Sequence, residues 1–289
     1  MKGENMTKNE PIDLLVTLNE RYLPQLRVLL TSISLNNPGE RFRLYLIHRG
    51  ISQQNLDTLG EQCGRLDVDL CPLTVDAALF ANAPTTRQYP QEMYYRLLAG
   101  QLLPRELERI LYLDPDILVI NPLRPLWETE LGDRLFAAAA HTGKTEIAND
   151  VNRIRLGTEH KYYNSGVLLI NLAACRQEIH PEEIFRYAEQ HAKELLLPDQ
   201  DILNVLYGRR TLELDDYLWN YDARKYSSYL FRSSGEADVD WVMAHTCILH
   251  FCGRAKPWKR VYNHRFGLLY KHYIRLADRF FSQQPGKEA

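Results

Sequence analysis

The chain has 289 residues, of which 45% are hydrophobic and 25% charged, with a formal net charge of −2 and a pI near 6.5. That length can bury a full core, and the balanced charge lacks the basic excess that a nucleic-acid backbone demands, so no nucleic acid is expected as a partner. Cys63, Cys71, Cys175, Cys247 and Cys252 are odd in number and form no CxxC pair, which fits reduced thiols rather than a disulfide framework. The first ten residues are polar, and no apolar run approaches the ~20 residues of a membrane helix. The chain therefore reads as soluble and cytoplasmic, with a disordered N-terminus over residues 1–10.

In chain order, Ile12–Leu18 is a short apolar run that predicts a buried strand. Tyr22–Leu35 repeats Tyr22, Leu26, Leu29 and Ile33 at helical spacing, with Pro24 in the first turn. Arg43–His48 predicts a strand, Ser52–Gln62 a helix opened by a capping serine, and Leu66–Leu70 a third strand. Glu92–Leu103 predicts a helix, and Arg109–Leu113 a compact strand that ends in Asp114-Pro115-Asp116. Strands alternating with crossover helices imply an α/β fold with a largely parallel sheet and helices on both faces. Ligands of such sheets sit beyond the carboxyl ends of the strands, where Asp114 falls.

The second half is less regular. Leu135–His141 and Gly166–Asn171 predict strands, and Pro181–Leu197 and Asp199–Tyr207 predict helices. Polar Thr142–Lys161 reads as an active-site loop, and residues 215–240 as another loop region. Ile248–Phe251 is a last short strand and Trp258–Phe281 a terminal helix. The simplest division is a catalytic domain over 11–257 followed by a helical tail over 258–289.

Two carboxylates one residue apart at a strand end can hold a hard divalent cation beside a diphosphate, although Asp and Pro also serve simply as turn residues. His250 opens His250-Phe251-Cys252-Gly253-Arg254-Ala255-Lys256-Pro257-Trp258, which brings together an imidazole, a flexible glycine and a lysine. Imidazole suits manganese, glycine admits a phosphate close to the backbone, and lysine offers it a point charge.

Together with the rest of the chain, these residues resemble the retaining glycosyltransferases of family 8, which include bacterial lipopolysaccharide galactosyl- and glucosyltransferases and glycogenin. The resemblance runs from about Ile12 to Trp258 and rests on an ordered set of blocks. These are Thr17-Leu18-Asn19-Glu20-Arg21-Tyr22, Tyr94-Tyr95-Arg96-Leu97, Leu111-Tyr112-Leu113-Asp114-Pro115-Asp116, Tyr163-Asn164-Ser165-Gly166-Val167-Leu168-Leu169-Ile170-Asn171 and Asp199-Gln200-Asp201-Ile202-Leu203-Asn204, before the His250–Trp258 segment. It implies a GT-A-like, Rossmann-type α/β fold with a mixed, mostly parallel sheet.

The resemblance also implies roles. Asp114, Asp116 and His250 match the residues that bind manganese, with magnesium as the alternative ion. Thr17, Leu18, Asn19 and Tyr22 match those that hold the base and ribose of a UDP-hexose. Arg96 and Asn164 match residues around the donor sugar and diphosphate, and Gly253 and Lys256 are expected, from their chemistry, to admit the phosphate and to offer it a cation. Asp199 and Gln200, with Arg96, match the catalytic group. The family usually has aspartate where this chain has Asn19, and often asparagine where it has Arg21, which bears on nucleotide choice. The implied reaction moves glucose or galactose with retention to a glycan or lipid-linked acceptor. It proceeds either by a glycosyl intermediate on Gln200 or Asp201, or by front-face attack with Gln200 stabilising an oxocarbenium-like transition state.

Two other readings compete. His245, Cys247, His250 and Cys252 could hold zinc, though strand alternation would split them between two faces. A sugar-nucleotide-binding protein without turnover is the other. In the tail, Lys271, Arg275 and Arg279 alternate with Tyr270, Tyr273 and Phe280, which suits either a helix packed on the domain or peripheral contact with an anionic membrane.

Overall fold

The computed structural model describes residues 10–81, 83–84, 91–140 and 146–282. Apart from Glu10, the expectation for residues 1–10 lies outside the described residues. The first half follows the predicted alternation: β1 (Ile12–Thr17), α1 (Leu23–Asn36), β2 (Phe42–His48), α2 (Gln53–Gly64), β3 (Val68–Thr74), α3 (Ala99–Leu102), β4 (Arg109–Leu113), β5 (Ile117–Val119) and α4 (Arg124–Trp127). Then come β6 (Phe136–Ala139), α5 (Glu146–Leu156), β7 (Val167–Asn171), α6 (Leu172–Glu178), α7 (Pro181–Gln190), α8 (Pro198–Tyr207) and β8 (Thr211–Leu214). The chain ends with α9 (Asp216–Trp219), β9 (Tyr221–Asp222), α10 (Tyr226–Arg232), α11 (Val239–His245), β10 (Ile248–His250) and α12 (Gly267–Ser282).

Seven strands form one sheet in the order β3-β2-β1-β4-β7-β6-β8. Six run the same way and β7 is reversed, since it pairs antiparallel with both β4 and β6. The sheet is thus mixed and mostly parallel. Strand alternation sends side chains to opposite faces. Leu14 and Val16 of β1, Leu111 and Leu113 of β4, and Val167 and Leu169 of β7 pack with Leu26, Leu29 and Ile33 of α1 and with Leu59 of α2. Leu15, Tyr112, Leu168 and Ile170 point the other way, onto Tyr94 and Tyr95, Phe185 of α7 and Ile202 of α8. Both faces are therefore covered, as the sequence predicts.

A second sheet of three short strands, β5-β10-β9, was not anticipated. Leu118, Leu249 and Tyr221 of that sheet share a third core with Val28 of α1 and with Phe266, Tyr270, Tyr273 and Ala277 at the C-terminal end. The aromatic face of α12 is therefore buried on the domain.

Several local expectations need correction. Glu92–Leu103 is not one helix but a 3-10 turn over Gln91–Tyr94 followed by the short α3. Met93, Tyr94, Tyr95, Leu97 and Leu98 are all buried, so the backbone follows core contacts on several sides instead of one apolar stripe. The helix expected over Pro181–Leu197 stops at Gln190, and Leu196 and Leu197 are exposed. Within Thr142–Lys161, residues 146–156 form α5 and residues 142–145 lie outside the described residues. Residues 215–240 are not a loop region but a series of short elements, two of them capped by aspartates. Asp215 accepts from the Tyr217 N–H and Asp238 from the Trp241 N–H, so brief helices form without a long periodic stripe. The terminal helix begins at Gly267 rather than Trp258, because Trp258 and Tyr262 pack as an irregular segment against Tyr270 and Phe251.

Candidate active site

Asp114 stands at the carboxyl end of β4, its N–H bonded to the Gly166 carbonyl of the neighbouring strand at 2.8 Å. Asp116 leads directly into β5, and β5 pairs antiparallel with β10 so that Ile117 lies opposite His250. The Phe251 N–H also donates to the Asp116 carbonyl at 3.0 Å. This ladder brings residues distant in the chain together. His250 Nε2 lies 3.4 Å from Asp116 Oδ1 and 3.9 Å from Asp114 Oδ2. One ligand atom from each of the three lies within 4.8 Å of the others, and among the described residues no other such group of His, Cys, Asp or Glu occurs. Of the other members of the zinc alternative, Cys252 lies beside His250, whereas His245 and Cys247 are directed elsewhere. His245 ends α11 and stacks on Trp241, while the Cys247 thiol points at the Asn121 and Pro122 carbonyls.

Gly166 makes this convergence possible. A β-carbon there would lie 2.3 Å from His250 Cε1, 2.7 Å from Asp114 Oδ2 and 3.1 Å from Asn164 Oδ1. The imidazole is oriented from behind, with Nδ1 2.8 Å from Asn220 Oδ1, so that Nε2 faces the carboxylates. Two carboxylates and an imidazole presented at one point fit a divalent cation.

The charges are strongly coupled. Burial pushes the Asp114 carboxyl above its ordinary range despite Arg96, with Asp116 adding repulsion. Burial acts on Asp116 in the same sense, but His250 and Lys256 outweigh it and hold that carboxyl below the usual range. For His250, burial opposes the charged form, yet Cys252 and Asp116 beside it raise the pKa well above 6.5. Burial also raises the Cys252 thiol, leaving it neutral near pH 7, so Asp116 supplies the effective negative charge. Lys256 ion-pairs with Asp116 and donates to the Phe251 carbonyl.

These residues open into a cavity of about 480 Å³. Arg96 crosses its floor. Its guanidinium is 3.1 Å from both Asp114 and Asp199, donates to the Ser165 carbonyl and lies over the Tyr112 ring. Asp199 and Gln200 occupy the first turn of α8. Asp199 does not cap that helix; it accepts from the Ser165 hydroxyl at 2.8 Å and faces Arg96. Gln200 Oε1 accepts from Asn164 Nδ2 at 3.0 Å and from the Ser165 N–H at 3.4 Å. The next residue is different. Asp201 is fully buried, bound twice by Arg155 at 2.7 and 3.0 Å, and it also accepts from Tyr162 and from the Leu196 and Leu197 N–H groups.

The cavity gathers Asp114, Asp116, His250, Arg96, Asn164, Asp199, Gln200, Gly253 and Lys256, all singled out from the sequence. Thr17, Leu18, Asn19 and Tyr22 are not part of its lining. Thr17 ends β1 and the other three follow it; β1 lies beside β4 with Leu15 opposite Tyr112. There Asn19 accepts from the Arg21 N–H, and Tyr22 is 39% exposed.

Gly253 adopts a φ of +81°, and a β-carbon on it would meet Arg224 Nη1 at 2.2 Å. The group that approaches this glycine is thus a guanidinium, held by paired bonds of 2.9 and 2.7 Å to the buried Asp222. Arg224, Lys225, Asn152, Tyr162 and Ser165 also line the cavity, and Asn220 stands behind His250; sequence reasoning singled out none of the six. Arg224, Lys225 and Asn220 lie in the stretch read as loop. An Asp-Ala-Arg-Lys run just after an asparagine set among aromatic residues was the one available signal.

The chain matches the family described as Glycosyl transferase family 8 over residues 13–261. It is 28% identical to General stress protein A of Bacillus subtilis over 277 residues, 93% of this chain and 95% of that one. It is 27% identical to the Lipopolysaccharide 1,2-glucosyltransferase of Escherichia coli K12 over 263 residues, 89% of this chain and 75% of the relative. The crystal structure of galactosyltransferase LgtC with donor and acceptor sugar analogs superposes with a TM-score of 0.76 at 25% identity, covering 92% of this chain and 96% of that one. With the Asp-Pro-Asp turn and His250 converging beyond the strand ends of such a fold, the chain belongs to glycosyl transferase family 8 and is a glycosyltransferase with a GT-A-like architecture.

Proposed function

We propose that this protein transfers a hexose, glucose or galactose, from a UDP-sugar to a glycan or lipid-linked acceptor with retention of configuration, using manganese or, in its place, magnesium. The observation that carries this reading is the meeting of Asp114, Asp116 and His250 in the same cavity as Asp199, Gln200 and Lys256. Names of relatives such as the lipopolysaccharide glucosyltransferase support a glycan acceptor of lipopolysaccharide type.

Asp114, Asp116 and His250 would hold the ion, which when bound supplies Lewis-acid stabilisation of the departing nucleoside diphosphate. Lys256 adds a fixed cation beside it and needs to move no proton. Thr17, Leu18, Asn19 and Tyr22 are proposed to hold the base and ribose, and Arg96 and Asn164 the sugar side of the donor. Arg96 also offsets the mutual repulsion of Asp114 and Asp199 by pairing with both at 3.1 Å. Gly253 leaves room for the diphosphate end and for Arg224.

For the chemical step we favour front-face attack. The acceptor hydroxyl bonds to the anomeric carbon on the side from which the diphosphate leaves, and its proton passes to the departing phosphate oxygen. The Gln200 amide, fixed by Asn164 and Ser165, stabilises the positive charge that develops on the sugar, with Asp199 beside it. Enclosure of Asp201 by Arg155, Tyr162 and two peptide N–H groups supports leaving that carboxylate out of covalent catalysis.

We take residues 11–257 as the catalytic part and 258–289 as a tail, of which α12 packs on the domain. No helix among the described residues is long and apolar enough to cross a membrane. A cytoplasmic place is part of the same reading, and Lys271, Arg275 and Arg279, exposed on α12, leave basic side chains for weak contact with anionic membrane surfaces.

A thermal-shift panel of UDP-glucose, UDP-galactose and other nucleotide sugars, with and without Mn2+, tests the reading. A donor at 100 times its Kd stabilises by about 2.7 kcal/mol, and chelation should abolish most of that. Stabilisation indifferent to metal and to the sugar nucleotide would sink the proposal. Binding without hydrolysis or transfer would favour the non-catalytic alternative.

A further inference from the structure

A line of three amide side chains runs from His250 to Gln200. His250 Nδ1 meets Asn220 Oδ1 at 2.8 Å, Asn220 Nδ2 donates to Asn164 Oδ1 at 2.9 Å, and Asn164 Nδ2 donates to Gln200 Oε1 at 3.0 Å. Amide orientation is ordinarily ambiguous, because oxygen and nitrogen ends look alike. Here two peptide groups remove the ambiguity. The Gly166 N–H donates to Asn164 Oδ1 at 3.0 Å and the Ser165 N–H to Gln200 Oε1 at 3.4 Å, so those atoms must be oxygens. Asn164 then presents its NH2 to Gln200. The NH2 of Asn220 must face Asn164, so its oxygen faces the imidazole, which in turn must carry a hydrogen on Nδ1.

Asn220 is itself held in place. It is fully buried between α9 and β9, and β9 pairs in parallel with β10 so that Asp222 lies opposite His250. We infer that Asn220 is a positioning residue that acts at both ends of the site at once: it makes Nε2 the ligand atom of His250, and through Asn164 it orients the Gln200 amide. The metal site and the sugar-facing amide are thereby set in one geometry. This inference rests on the proposed metal role of His250 and the proposed catalytic role of Gln200.

Replacements of Asn220 separate the two effects. In Asn220→Asp a carboxylate still accepts from His250 Nδ1 but has no hydrogen to give Asn164 Oδ1. In Asn220→Ala both bonds are lost. Loss of the partner behind a metal-bound histidine typically costs about 10- to 100-fold in affinity or activity. Mn2+ alone is titrated into each protein by electron paramagnetic resonance, and acceptor-free hydrolysis of UDP-glucose and UDP-galactose is followed with saturating Mn2+. Asn220→Asp is expected to keep its Mn2+ Kd within about threefold of the parent while kcat falls about tenfold or more with little change in KM. Asn220→Ala is expected to lose both Mn2+ affinity and kcat by about tenfold or more.

Asn164→Asp provides a second route, since it accepts from Asn220 and Gly166 but cannot donate to Gln200. It should likewise keep its Mn2+ Kd within about threefold of the parent while kcat falls about tenfold or more, which keeps the test decisive should either Asn220 variant fail to fold. Parallel loss of Mn2+ binding and kcat in the aspartate variants, or hydrolysis at the parent rate, would overturn the inference. An unaltered protein that binds no Mn2+ would overturn the metal reading together with it, whereas normal Mn2+ binding without the split overturns only the role of Asn220.

Discussion

Arg155 grips Asp201 with two hydrogen bonds of 2.7 and 3.0 Å and so ties α5 to the helix that carries Gln200. The carboxylate is fully buried, and removing the partner of a buried ion typically costs about 3–5 kcal/mol. Tyr162 and the Leu196 and Leu197 N–H groups remain on Asp201, so Arg155→Met should lower unfolding stability by roughly 3 kcal/mol, near the bottom of that range. Urea denaturation measures it. Hydrogen exchange should rise first in α5, which carries the cavity residue Asn152.

Gly166→Ala places a methyl group 2.3 Å from the His250 ring and 2.7 Å from the Asp114 carboxylate. A misplacement near 1 Å of groups that must act together can cost about 100-fold in rate. Transfer or donor hydrolysis should fall by about that factor while far-UV circular dichroism stays unchanged. Near-normal activity would mean that the ligand geometry is looser than these contacts allow.

Asp116→Ala should erase the metal-dependent part of the thermal shift and leave the metal-free melt within a few degrees. Its removal takes a partner from His250 and Lys256 but also relieves the repulsion that it exerts on Asp114. Differential scanning fluorimetry with and without Mn2+ reads this directly.

The pH dependence of metal uptake follows from His250. Its folded pKa lies above 6.5, so its pairing with Asp116 stabilises the metal-free protein fully below 6.5, and that stabilisation is lost as pH climbs through the raised value. Metal must displace the same proton. Mn2+ affinity should therefore rise with pH above 6.5, by up to roughly tenfold per unit, until the raised pKa is passed. The difference in Tm with and without Mn2+ should widen over the same interval.

Arg224 reaches across Gly253 towards the place expected for the diphosphate. A hydrogen bond to a charged group is worth about 1.5–3 kcal/mol, so Arg224→Gln should weaken UDP binding by roughly 10- to 100-fold. Uridine, which lacks the phosphates, should bind the variant as it binds the parent. Calorimetric titration of both ligands separates an anion contact from a general disturbance of the pocket.

The legible parts of the chain were those governed by local pattern. β1, β4 and β7 are short apolar runs, and each is bounded by residues that break or cap the strand, so both the sheet and its edge at Asp114 could be read directly. The tie between Asp116 and His250 was accessible through resemblance and chemistry. The antiparallel ladder that creates it was not, because β5 and β10 are three residues each and carry no period of their own. Asn220 escaped for a similar reason. A lone amide between Trp219 and Tyr221 acquires meaning only once β9 is laid beside β10. Arg155 and α5 escaped because the helix is polar around much of its circumference, with Val151 and Ile154 exposed.

Asp114 stands at the end of a strand of the seven-stranded sheet, whereas Asp116 leads into the three-stranded sheet to which His250 belongs. During synthesis the nascent polypeptide owns its acidic pair long before residue 250 leaves the ribosome. The proposed ion site therefore cannot be complete before β10 has emerged and paired with β5. A product released before that point would carry both aspartates without the imidazole and, on the proposed reading, would lack one of the three groups offered to the ion.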